Sequence, residues 1–172
     1  MNKAFLSGVA AVAALGISTA SAVELDGKKG IGAAAGIGGI EGLAFNYGTG
    51  NLAVEGLLGV NMLMPDSGDG VNTITLAAGA HFMALRADKA AWSVGGRLNI
   101  GLGKDTNEFG LDIPTRVYWF ADEHFSLHFE TGIRIEMVPE KGSVFGRGAA
   151  GAKGKEIGLF DTQSGVGATF WW

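Results

Sequence analysis

The sequence predicts an all-β protein, an antiparallel up-and-down transmembrane β-barrel of eight strands. Three observations predict it. Apolar residues alternate with small or polar ones along most of the chain, ending on Val166, Ala168, Phe170 and Trp172. No apolar run after residue 22 reaches the ~20 residues of a membrane helix, so a membrane span has to be built from strands. The connections between strands alternate between short and long, the rhythm of barrels with tight turns at one end and longer loops at the other.

The chain opens on a segment expected to lie outside the fold. Lys3 gives it a positive start, Ala4 to Ile17 is apolar, and Ala20-Ser21-Ala22 is a small-x-small cleavage site. Residues 1–22 therefore read as a secretory signal peptide, and residues 23–172 as one barrel domain. The apolar run is too short to cross ~30 Å of hydrocarbon as an anchor. The full chain has 13 Lys and Arg against 17 Asp and Glu. Loss of Lys3 with the signal moves the net charge from −4 to −5, which argues against a nucleic-acid partner. There is no cysteine, so an exported chain of this size must hold together by hydrogen bonding and burial.

Strands are expected at 29–37, 40–47, 51–63, 72–86, 91–103, 108–120, 125–137 and 159–172. Most reach the roughly 9–11 residues that a tilted membrane strand needs. The first two are short and rich in Gly and Ala. In 91–103, Trp92, Val94, Leu98, Ile100 and Leu102 oppose Ser93, Arg97 and Asn99. In 108–120, Phe109, Leu111, Ile113, Thr115, Val117 and Trp119 oppose Gly110, Asp112, Pro114, Arg116, Tyr118 and Phe120. In 125–137, Phe125, Leu127, Phe129, Thr131, Ile133, Ile135 and Met137 oppose Ser126, His128, Glu130, Gly132, Arg134 and Glu136. Short turns are expected at Gly48–Gly50, Ala87–Ala90 and Ala121–His124. Longer connections are expected at the other end, near Gly38-Gly39, Met64–Val71, Lys104–Asn107 and Val138–Gly158. Tyr47, Trp92, Trp119, Phe125, Phe170 and Trp172 all fall near the short-turn end and form one interfacial girdle. Met62, Met64 and Phe109 make a thinner girdle at the other end.

The faces are assigned by composition and by energy. The polar faces are largely Gly, Ala, Ser and Thr with scattered ions, whereas water-facing strands carry more Lys and Glu. Small residues and a few ions suit the narrow interior of eight strands. An Arg at mid-bilayer costs ~2–4 kcal/mol on the lipid face. His128, Glu130, Arg134 and Glu136 together would cost on the order of a domain's whole stability. These ions must then point inward and pair, because an unpaired buried ion costs several kcal/mol. The interior network is read as Glu55, His81, Arg97, Asp112, Arg116, Tyr118, His128, Glu130 and Arg134. A register that pairs Phe120 with Ser126 also sets Arg116 against Glu130, Asp112 against Arg134 and Tyr118 against His128.

With its Ala20-Ser21-Ala22 site, its alternating strands and its Val166, Ala168, Phe170, Trp172 terminus, the chain resembles the small eight-stranded outer-membrane barrels of Gram-negative bacteria. The resemblance implies export followed by insertion into the outer membrane, among its lipid and lipopolysaccharide. It also implies that Phe170 and Trp172 form the signal read by the barrel-assembly machinery. Some members of that family are lipid A deacylases or acyltransferases, which act on lipid near the outer leaflet.

No catalytic, cofactor-binding or metal-ligating set stands out. Ser126, His128 and Glu130 share a face, but residues two apart on a strand are ~7 Å apart, too far for a triad. Asp66-Ser67-Gly68-Asp69-Gly70 lacks the later Glu of a calcium loop. At Gly154-Lys155, Ala149 replaces the first Gly of a phosphate loop and Glu156 its Ser or Thr. The 138–158 loop carries Lys141, Arg147, Lys153 and Lys155 and is the candidate surface for external recognition, for instance of lipopolysaccharide phosphates. The expected role is non-enzymatic, structural or surface-interacting, in a monomer. The alternatives are a lipid-A-modifying enzyme and a soluble periplasmic ligand-binding barrel with its faces reversed.

Overall fold

The computed structural model describes residues 23–37, 41–63, 71–103, 107–138 and 156–172. It has eight strands: β1 (Lys29–Ile37), β2 (Gly42–Thr49), β3 (Leu52–Leu63), β4 (Val71–Arg86), β5 (Ala90–Gly103), β6 (Asn107–Phe120), β7 (Phe125–Val138) and β8 (Glu156–Trp171). Each pairs antiparallel with its neighbour in sequence, and β8 returns to β1 to close the barrel. Closure removes both free sheet edges, so every strand has two hydrogen-bonded neighbours. The expected signal segment, the Asp66–Gly70 stretch, Gly154-Lys155 and the basic side chains Lys141, Arg147, Lys153 and Lys155 lie outside the described residues.

The side chains divide as lipid-facing barrels require. Every strand sends large apolar residues outward, among them Ile31, Phe45, Val60, Phe82, Leu98, Ile113, Phe129 and Val166. The inward positions hold Glu55, His81, Arg97, Asp112, Arg116, Glu130 and Arg134, all buried. On β6 this alternation is unbroken from Asn107 to Thr115. Period-2 geometry is the cause: one residue of slip would turn every one of these side chains to the opposite face.

Three details depart from a regular ladder. Register shifts by one residue between Met83 and Leu85 on β4, and again beside Arg134 and Ile135 on β7. Pro114 lies inside β6, where it offers no N–H. The β5–β6 pairing is interrupted there, resuming from Val94 with Thr115 on one side and from Arg97 with Asp112 on the other. On its other flank Pro114 pairs with Gly132, where an added Cβ would stand 2.8 Å from the Pro114 Cα.

The second hairpin corrects an expectation. Gly48 does not belong to the turn: β2 runs on to Thr49, and Gly50-Asn51 make the connection. Gly50 has φ 54°, the left-handed conformation that two-residue hairpins draw on. Gly48 is needed for a different reason. A Cβ there would stand 2.2 Å from the carbonyl oxygen of Leu25, which packs against it from the segment before β1.

Candidate functional site

The lumen is filled in layers. Nearest the short turns is an apolar layer: Leu25, Ala53, Met83, Ala91, Tyr118, Phe120 and Trp171. Beyond it lies an ionic layer supplied by β3 to β7, to which β8 adds the neutral Gln163. Asn99, Glu108 and Glu136 are also buried, nearer the loop end of their strands.

The β6–β7 hairpin sets the first ionic contacts. Its turn leaves Phe120 opposite Ser126, and from there the register places Arg116 against Glu130 and Asp112 against Arg134. Both pairs are ion pairs: Arg116 Nε donates to Glu130 Oε2, and Arg134 Nε donates to Asp112 Oδ1 at 2.6 Å. The same register sets the Tyr118 and His128 rings side by side, 5.4 Å between centroids. Inward glycines make room for such rings. A Cβ at Gly167 would stand 2.3 Å from His128 Cε1.

Arg97 and Arg116 extend the cluster, to a paired neighbour and to strands that are not neighbours. Arg97 on β5 donates to Asp112 Oδ2 at 2.9 Å, to Glu130 Oε1 at 2.6 Å and to Glu55 Oε1 at 3.3 Å. Arg116 reaches across to Glu55, 2.7 Å from Nη2 to Oε2. His81 Nε2 also lies within hydrogen-bond distance of Glu55 Oε1, at 3.0 Å. The three guanidiniums Arg97, Arg116 and Arg134 thus face the three carboxylates Glu55, Asp112 and Glu130. Charge-assisted hydrogen bonds of this kind offset the desolvation of each ion only when every partner is present.

Every residue of the expected network is inward and buried, and the structure joins them into one cluster. Two further members were not singled out from sequence. Gln163 is buried, and its Oε1 accepts from Arg97 Nη2 and Arg134 Nη2, each at 3.1 Å. Trp171 is buried, and its indole N–H donates to Ser126 Oγ at 2.8 Å. Parity carries the signal for both: Gln163, Thr169 and Trp171 are buried, whereas Val166, Phe170 and Trp172 are exposed. Phe170 and Trp172 face outward at the barrel's turn end, 51% and 56% exposed, with ring centroids 6.3 Å apart.

Two chemical readings can be judged on this geometry. Ligand atoms of Glu55, His81 and Glu130 all lie within 4.8 Å of one another, a spacing that a metal could use. The carboxylate lone pairs at that point are taken by Arg97 and Arg116, and two fixed cations repel a third. Among the described residues, the Ser126, His128, Glu130 row forms no hydrogen-bonded relay. Ser126 Oγ is held by Trp171, the His128 ring lies against Tyr118, and Glu130 is bound by two arginines.

No protein-family model matches the chain. No curated protein matches it either. Among solved structures it is similar to the attachment invasion locus protein Ail of Yersinia pestis, at 11% identity, covering 86% of this chain and 99% of that one, with a TM-score of 0.39. It is also similar to OmpT of Vibrio cholerae in an outer-membrane-expressed form, at 15% identity over 76% of this chain, with a TM-score of 0.36. The in-vitro folded form of that outer membrane protein gives 14% identity over the same share and the same TM-score. The chain spans about two fifths of the length of OmpT, 40% and 39% in the two structures.

Proposed function

We propose that this chain is a non-enzymatic barrel of the Gram-negative outer membrane, serving a structural or surface-interaction role. One observation carries the reading: a closed barrel turns a belt of large apolar side chains outward on every strand and keeps its ions inside. In water that arrangement leaves apolar surface far beyond what soluble monomers expose. In a bilayer the same surface meets acyl chains, and a closed barrel leaves no backbone group unpaired. The lumen supports a plug and not a channel, since eight strands enclose room for side chains only. The reading extends to insertion by the barrel-assembly machinery through Phe170 and Trp172, to contact with outer-membrane lipid and lipopolysaccharide, and to a monomeric state. Recognition of external partners falls to Lys141, Arg147, Lys153 and Lys155.

The test is fractionation of a Gram-negative host that expresses the full chain, followed by gel mobility with and without boiling. The expected result is a band in the outer-membrane fraction that migrates as a folded barrel until heated. Recovery in the soluble periplasm would instead support the ligand-binding barrel. Altered lipid A mass spectra in the expressing host would support the enzyme.

A further inference from the structure

Residues 23–28 precede β1 and do not simply trail away. Leu25 is 3% exposed and packs into the apolar layer at the turn end of the lumen. The Lys28 N–H donates to the Leu25 carbonyl at 3.0 Å, closing a turn with Gly27 at φ 73°. Left-handed glycine in the third place of a β-turn is the arrangement that tight turns favour. Gly27 and Lys28 are fastened to Gly48 of β2 by two backbone hydrogen bonds of 2.9 Å each. Asp26 Oδ1 accepts from the Gly50 N–H at 2.7 Å. At its far end, the Val23 N–H reaches the carbonyl of Ala87, in the turn between β4 and β5, at 3.5 Å. The segment therefore crosses the mouth of the barrel from β2 to the β4–β5 turn.

We propose that residues 23–27 form a strap that seals the turn-side mouth and opens about Gly27 without breaking any strand pair. Beyond the Gly27 hinge, itself bonded to Gly48, what holds it down is local: the buried Leu25 side chain with the partly buried Val23 packed on the same layer, one side-chain tether from the exposed Asp26, and one long hydrogen bond at the end. Segments held by so few contacts open at far lower cost than the barrel that carries them. The seal has a defined object. Arg116 Nη1 donates to the Tyr118 hydroxyl at 3.3 Å, so Tyr118 belongs to the apolar layer and touches the ionic layer. Water admitted past Leu25 reaches Tyr118 first and the Arg116 pairs next. A closed strap keeps those pairs in a dry surrounding, where their attraction is strongest.

The chain has no cysteine, so one introduced thiol reports on the seal alone. Ala53→Cys places it on β3 in the layer beneath Leu25. The full-length chain, produced in a Gram-negative host and purified in detergent, is treated with a charged, water-soluble methanethiosulfonate. Lys89→Cys, on an exposed turn, gives the rate of an open site. The expected result is slow labelling of Ala53→Cys, and labelling at least tenfold faster after adding Leu25→Ser or Asp26→Ala, with heat-modifiable mobility retained. Equal rates with and without the strap substitutions would overturn the proposal. So would labelling of Ala53→Cys as fast as Lys89→Cys in the unaltered strap. If Leu25→Ser fails to give a folded band, Asp26→Ala decides, since it removes one surface tether and no buried group.

Discussion

Arg97 is the residue on which the interior turns. It donates to Asp112, Glu130, Glu55 and Gln163, on four different strands. Arg97→Met leaves three buried carboxylates to share two guanidiniums. Breaking a buried ionic set by removing one partner costs ~3–5 kcal/mol. The expected outcome is a loss of that size in the unfolding free energy of the barrel folded in micelles, read from its urea transition. Arg97→Lys is expected to lose less, because it keeps the charge but not the planar fork that meets several acceptors at once. An unchanged midpoint for Arg97→Met would show that the network does not carry stability. The sequence exposes only part of this network. Arg116 with Glu130 and Asp112 with Arg134 follow from one turn and one register. The reach of Arg97 and Arg116 to Glu55 does not, because distances across a lumen depend on how the barrel closes.

At the scale of elements, β6 and β7 were the most legible, since long unbroken alternation fixes both face and register. β2 was less so. Its Gly48 looked like a turn residue, whereas its lack of a side chain serves contact with Leu25. Gln163 and Trp171 were hidden for another reason: the eye follows the apolar residues of β8, and the inward set has to be inferred as their complement. The gap beside Pro114 yields a paired prediction. Gly132→Ala puts a Cβ 2.5 Å from the Ile113 carbonyl oxygen, so the β6–β7 ladder has to move. Overpacking of that kind costs ~1–3 kcal/mol. Gly96→Ala, in the facing gap on β5, meets nothing within 4 Å and is expected to be neutral within ~0.5 kcal/mol. Equilibrium unfolding of the two variants side by side checks the contrast, and equal effects would mean that close packing at Gly132 is not what constrains it.

At the scale of the whole molecule the question is which solvent the belt was built for, and one outward position can answer it. Ile113 lies midway along β6 and is 48% exposed, so its side chain meets the surroundings and not the lumen. Ile113→Arg therefore changes nothing inside the barrel. If the belt faces acyl chains, a guanidinium near mid-bilayer costs ~2–4 kcal/mol, and the variant refolded into lipid vesicles unfolds at correspondingly lower urea. If the belt faces water, the same substitution falls within ~0.5 kcal/mol, as exposed changes do, and improves solubility. The tryptophan fluorescence of the four indoles reads the transition in either medium. A water-like result would reverse the reading of every strand at once, since period-2 geometry ties the outward belt and the inward ions together. No assignment of one face survives the loss of the other.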